Sequence, residues 1–293
     1  MLMGEHAVIR GHTALCAAID QRISVRLSPR TDRQIHLHSS LGHYQTPLES
    51  LSVTRPFHFV LGALMHLRPP AGLDLHIDAA FPADIGFGSS AAVTVATVGA
   101  LHAARGEALD CARIFSEALA VLHAVQGRGS GADLAAAVYG GIVRYRTEPL
   151  EIEPIVQSLP LSAHYVGHKT PTAEVIRLLD ARWAAHETER DALYARINAL
   201  TLTATAAIRN GAVEVLAECF SEHRRLQKHL GCEDDATAGL LAALDQHPDV
   251  LACKISGSGL GDCVIALGPP GLKTERHTAY PLYIAHQGLT LHD

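Results

Sequence analysis

The stretch "FPADIGFGSSAAVTVA" (residues 81–96) sets two glycines two residues apart, then two serines, then a run of small and apolar residues. That run suits a helix continuing to about Arg105, with Ser89 or Ser90 as its N-cap. Gly86 and Gly88 permit positive φ and close approach of a ligand to the backbone. A helix opening directly behind them offers unpaired N–H groups and the positive end of its dipole. Together these features describe an anion site suited to phosphates, with the serine hydroxyls as further ligands for a phosphate or a magnesium ion. The alternative is a Gly-Ser turn that does no more than start a helix. No Lys follows the glycines, which excludes a P-loop. No acidic residue stands about 20 residues on at a strand end, which excludes a dinucleotide fingerprint.

The 293 residues suffice for one large or two modest domains, and 48% of them are hydrophobic. With 24 Lys and Arg against 30 Asp and Glu, the net charge is −6. That balance argues against a nucleic acid or an anionic membrane as partner, so an anion must be held locally by backbone N–H groups and a few side chains. The six cysteines form no Cys-x-x-Cys pair, and no signal peptide is evident, so free thiols in a reducing cytoplasm are expected. No apolar run is long enough for a membrane span. Among 19 histidines, His36, His58, His66 and His102 stand alone and suggest solvated or core residues.

"RISVRLS" (22–28) and "LDLHID" (73–78) alternate as half-buried strands, and "FHFVLGALMHL" between them has helical spacing. Further helices are expected over 109–126, 172–186, 187–209, 213–230 and 236–246. "GIVRYRT", "LACKIS", "DCVIALG" and "PLYIAH" read as strands. The mixture without strict alternation favours α+β, and the composition shift near Pro149–Pro160 suggests two domains, residues 1–155 and 156–293.

Three more glycine-rich stretches are spread along the chain: "GEHAVIRGHTAL" (4–15), "GSGADLAAAVYGG" (129–141) and "KISGSGLGDC" (254–263). With the Pro82–Ala92 stretch they resemble the motifs of the GHMP kinases, with Phe87 where that family usually has Leu. The resemblance covers nearly the whole chain. It implies a two-domain α+β fold: an N-terminal mixed-sheet domain with a left-handed crossover, and a C-terminal ferredoxin-like domain. It implies ATP and Mg²⁺ as cofactors, with Gly86, Phe87, Gly88, Ser89, Ser90 and Ala91 on the nucleotide and Ser90 on the metal. Asp133 matches the family's catalytic aspartate, a carboxylate that accepts or orients the acceptor's proton. Glu5, His6, Lys169, Gly257, Ser258 and Gly259 are expected at the substrate.

Within the family, "GEHAV" is most similar to mevalonate kinases, whereas "SGSGLGDC" and "HAVQGRGSGADLAAAVYGG" resemble phosphomevalonate kinases. Mevalonate is the expected acceptor, with phosphomevalonate the alternative and a non-catalytic metabolite sensor a more distant one. A small molecule is thus the expected partner, and a homodimer stays open. The chain departs from the pattern twice. It begins "MLMGEH", without the family's preceding lysine, so an upstream start is expected; and Leu122 stands where mevalonate kinases carry a magnesium-binding Glu, eleven residues before Asp133.

Overall fold

A computed structural model describes residues 1–80, 86–270, 272 and 279–292. In chain order its elements are β1 (Ala14–Ala17), β2 (Ile23–Pro29), β3 (Gln34–Ser39), β4 (Gly42–Pro47), α1 (His58–Leu67), β5 (Leu73–Ala79), α2 (Ser89–Ala104), α3 (Cys111–Gln126), α4 (Ala132–Tyr139), β6 (Ile142–Arg146), β7 (Glu151–Ile155) and β8 (Leu161–Lys169). There follow α5 (Thr172–Arg182), α6 (Glu187–Asn210), α7 (Val213–Leu230), α8 (Asp235–Asp245), β9 (Ala252–Ser256), β10 (Gly261–Leu267) and β11 (Ala279–Leu282). No helix among the described residues is long and apolar enough to cross a membrane.

The chain forms two compact units that interleave along the sequence. One comprises Met1–Asp20, Asp84–Gly86 and Gly140–His286, the other Gln21–Ala83, Phe87–Tyr139 and Gln287–Asp293.

The unit built around residues 21–139 carries a mixed sheet in the order β2-β5-β3-β4, in which only β3 and β5 run parallel. Strand β3 shows why one face is dry: Ile35 and Leu37 are fully buried while His36 and His38 alternate outward. The inward residues meet Leu61 and Leu64 of α1, Leu73 and Leu75 of β5 and Leu101 of α2 in one apolar core. Each such side chain contributes about 1.5–3 kcal/mol on burial. Helix α2 packs against α1, α3 and α4, so the segment behind the second motif is anchored on three sides.

The other unit holds β1-β6-β7 and an antiparallel sheet in the order β11-β8-β10-β9. Counted within that sheet, the strand order is 4-1-3-2, the ferredoxin-like arrangement. Val264 and Ala266 of β10 and Ile255 of β9 pack with Ile197 of α6, Leu226 and Leu230 of α7, and Leu240 and Leu241 of α8. Strands β3, β4 and β7 had not been anticipated, nor had β1, four residues with no alternation to detect.

Candidate functional site

The helix start expected at Ser89 or Ser90 falls one residue earlier. Gly88 is the N-cap of α2, with φ 75° in the left-handed region, and its carbonyl accepts from the Ala92 N–H at 3.0 Å. A cap must leave helical φ/ψ, and glycine does so here without the Cβ penalty. Ser89 and Ser90 are therefore the first two residues of the helix, and Gly88 brings no side-chain oxygen to cap the first turn. A Cβ at Gly88 would meet nothing within 4 Å, so open space lies beside the helix start. Pro82 and the rest of residues 81–85 lie outside the described residues.

In the same unit, Asp133 is exposed in the first turn of α4, a position the helix dipole favours for a carboxylate. The turn before it is tightly built. Gly129 sits so close to Leu122 that a Cβ would lie 2.8 Å from its Cδ2, and the His123 Nε2–H donates to the Gly129 carbonyl at 3.0 Å. Leu122 thus packs beneath the aspartate turn.

The stretches at 4–15 and 254–263 come together in the other unit. Gly4, at φ 88°, passes so close to β1 that a Cβ would stand 2.5 Å from the Thr13 carbonyl oxygen. Glu5 is buried, and the Lys254 ammonium of β9 donates to its Oε1 at 2.6 Å. The His223 Nε2 of α7 lies 3.6 Å from the other carboxylate oxygen, and neither of its ring nitrogens has a hydrogen-bond partner among the described residues. Burial would raise the Glu5 pKa, but Lys254 and His223 bring it down to about 2. Burial pushes His223 down to about 3, so it is neutral. Burial also lowers Lys254, and the Glu5 carboxylate opposes that shift.

His6 is almost fully buried at φ 62°, and its Nε2–H donates to the Ser258 carbonyl at 2.8 Å. From Gly257 to Asp262 every residue but Ser258 has positive φ, including the non-glycines Leu260 at 54° and Asp262 at 69°. Such strain persists only where surroundings hold it. Here Cys232 accepts from the Leu260 N–H at 2.8 Å, and the Thr170 hydroxyl donates to the Leu260 carbonyl at 2.7 Å. Gly259 is pressed against Cys232, and a Cβ would lie 2.4 Å from its carbonyl oxygen, whereas Gly257 faces open space. Lys169 ends β8 and pairs with Asp262 at 2.9 Å. Gly86 lies against the same carboxylate, with a Cβ position 2.0 Å from its Oδ1.

The sequence reading assigned no role to Lys254 or His223. One signal was present: a lysine in the middle of the apolar strand "ACKIS" demands a buried anion.

The model for the GHMP kinases N terminal domain matches residues 58–141, and that for GHMP kinases C terminal matches 204–276. The mevalonate kinase of Archaeoglobus fulgidus is 30% identical over 272 residues, covering 91% of this chain and 89% of that protein. The chain belongs to the GHMP kinase family. It is an ATP-dependent phosphotransferase with an alcohol acceptor. The mevalonate kinase of Aeropyrum pernix is 27% identical, covering 92% of this chain and 86% of its own length. The crystal structure of Methanococcus jannaschii mevalonate kinase shares the fold at a TM-score of 0.80 and 20% identity, covering 97% and 95% of the two chains.

Proposed function

We propose that this GHMP kinase transfers the γ-phosphoryl group of ATP to the hydroxyl of mevalonate. The similarity to the Archaeoglobus mevalonate kinase over nearly the whole of both chains carries this reading. It favours mevalonate over phosphomevalonate. A sensor on the same fold has no use for a carboxylate in the first turn of α4, and Asp133 stands there.

The phosphates are assigned to the start of α2, through Phe87, Gly88, Ser89, Ser90 and Ala91, whereas Gly86, expected there too, packs against the Asp262 carboxylate. Glycine leaves room beside the helix, and the dipole favours negative charge there. Unpaired backbone N–H groups at a helix start stabilise negative charge that grows in a transition state, with no reorganisation at that moment. Asp133 is assigned as the group that accepts or orients the hydroxyl proton. Glu5, His6, Gly257, Ser258 and Gly259 are assigned to the acceptor, and Lys169, paired with Asp262, to the turn that carries the last three. Buried Glu5 acts by holding its motif through Lys254, and His6 by fixing the Ser258 carbonyl.

The donors at Ser90 and Asp133 are hard oxygens, which suit Mg²⁺, whereas Leu122 offers none. When bound, Mg²⁺ supplies charge neutralisation among the phosphates. The six cysteines are free, in keeping with a reducing cytoplasm. An ADP-release assay with mevalonate and phosphomevalonate side by side tests the reading. Turnover with mevalonate alone is expected, and turnover with phosphomevalonate alone would overturn it.

A further inference from the structure

The outer face of the mixed sheet collects histidines. His43 of β4, His38 of β3 and His76 of β5 are register partners in one row across three adjacent strands. In the next row on that face His36 of β3 lies opposite Asp74 of β5. Only two residues separate His36 from His38 along the chain, so the strand period of two puts both imidazoles on one side. His36 is therefore not the solitary residue its sequence context suggested.

The side chains converge closely. One donor atom each from His36, His38 and Asp74 lies within 4.8 Å of the others. The Nδ1 atoms of His38 and His43 are 2.9 Å apart, and the His38 ring stacks on His76 with centroids 4.6 Å apart. Two imidazole nitrogens at that distance share one proton, so at least one presents a lone pair to the other. On His36, Nδ1 lies 3.3 Å from the Arg30 Nη1 and 3.4 Å from the Asp74 Oδ1, which leaves Nε2 as the ring's other nitrogen. That Nε2 is buried and has no hydrogen-bond partner among the described residues. Arg30 also bridges Asp74 at 2.8 Å and holds Asp32 through its other nitrogens at 2.7 Å. Asp32 can keep the guanidinium when Asp74 and His36 turn to another cation.

A half-exposed sheet face needs polar residues, but it does not need four imidazoles and a carboxylate in contact. Imidazole nitrogens with one carboxylate are the donor set of zinc and its first-row neighbours, while Mg²⁺ prefers oxygen. We propose that His36, His38 and Asp74, with His43 as fourth ligand, form a binding site for a late first-row divalent ion, zinc in the first instance, on the outer face of this sheet. The site is independent of the kinase reading. It uses none of the residues assigned to nucleotide or acceptor, and the ion ties β3, β4 and β5 together.

Calorimetric titration of metal-free protein with Zn²⁺ tests it, alongside absorption spectra with Co²⁺ as the coloured substitute. The wild type is expected to take up one saturating Zn²⁺ that excess Mg²⁺ does not displace, and to show a visible Co²⁺ band. These residues are partly or fully exposed, so the variants should fold, as circular dichroism will check. His43→Ala should weaken zinc at least tenfold, and the double variant His36→Ala/His38→Ala should abolish both uptake and band. His229→Ala, an exposed histidine on another element, should change neither. No saturable zinc in the wild type, or uptake unchanged in the double variant, would overturn the site. Unchanged affinity in His43→Ala would overturn its place as fourth ligand.

Discussion

The glycine-rich turns look alike as sequence but are built in opposite ways. At Gly88 the missing side chain leaves open space, and only the φ of 75° demands glycine. At Gly4, Gly86 and Gly259 the missing side chain is already filled, by the Thr13 backbone, the Asp262 carboxylate and the Cys232 backbone respectively. The charged residues divide similarly. Asp133 is exposed, whereas Glu5 is enclosed with Lys254 and His223. A motif can therefore use glycine to admit a ligand or to let two parts of the chain touch, and filling the second kind should cost more stability.

The largest effect expected from this division is on catalysis. Asp133→Asn should lower kcat by roughly 10²–10⁴, the range for a lost proton acceptor, with little change in ATP affinity. Its exposed position means the melting temperature should stay close to that of the wild type. Near-normal turnover would move Asp133 to the structural side of the comparison.

Glu5 should behave in the reverse manner. Glu5→Gln strands the Lys254 ammonium in a fully buried position, a loss of about 3–5 kcal/mol for breaking such a pair. The double replacement Glu5→Leu/Lys254→Met removes both charges and should recover most of that. The pH dependence follows from the same cluster. His223 is depressed from 6.5 to about 3 and Glu5 from 4.5 to about 2 in the folded chain. In both, the unfolded chain binds protons first as pH falls, so their contribution is whole above about pH 6.5 and is lost on acidification. His223→Gln should flatten the upper part of that loss, between pH 6.5 and 4.5, and Glu5→Gln the part below 4.5. A wild type equally stable at pH 7 and pH 4 in urea titration would contradict both assignments.

A matched pair of alanines puts the glycines themselves to the test. Gly259→Ala forces a Cβ to within 2.4 Å of a backbone oxygen at positive φ, so about 3 kcal/mol of stability should go. Gly88→Ala meets no atom within 4 Å and should cost only about 1–2 kcal/mol for the left-handed conformation. Its larger consequence should be a raised KM for ATP, because the added methyl enters the space assigned to phosphate. Equal melting temperatures for the two variants, or an unchanged ATP KM in Gly88→Ala, would dissolve the distinction between open and filled turns.

Much of the fold was legible where chemistry is periodic. Helices α6 and α7 and strands β2 and β5 follow their apolar spacing to within a residue or two. Strand β3 was also written in the sequence, as the alternation Ile35, His36, Leu37, His38, but its histidines drew attention as isolated residues. Strand β8 is buried on both faces over its first four residues, so it has no alternation to read there. For the site, the local motif announced Gly88, whereas the partner of Glu5 lies 249 residues away in the chain. No local pattern reports a pair that only folding brings together.

The smallest effect concerns Lys169, the residue on which the comparison is least decided by position. Its side chain is 41% exposed, yet it pairs with Asp262, whose side chain is only 13% exposed and is held at positive φ. An ion pair with one exposed partner is worth about 0.2–1 kcal/mol. At about 2–4 °C per kcal/mol for a chain approaching this size, Lys169→Ala should lower the melting temperature by a few degrees at most. Mevalonate has no phosphate for this lysine to neutralise, so its KM should rise by less than about threefold, below the tenfold that corresponds to about 1.4 kcal/mol of lost binding. Asp262→Asn separates the two roles, because it frees the ammonium without removing it. If Lys169 serves only to neutralise Asp262, this variant should match Lys169→Ala in melting temperature and leave KM unchanged. A tenfold rise in mevalonate KM in Lys169→Ala, with none in Asp262→Asn, would place the lysine with Gly88 and Asp133 among the residues that face a ligand.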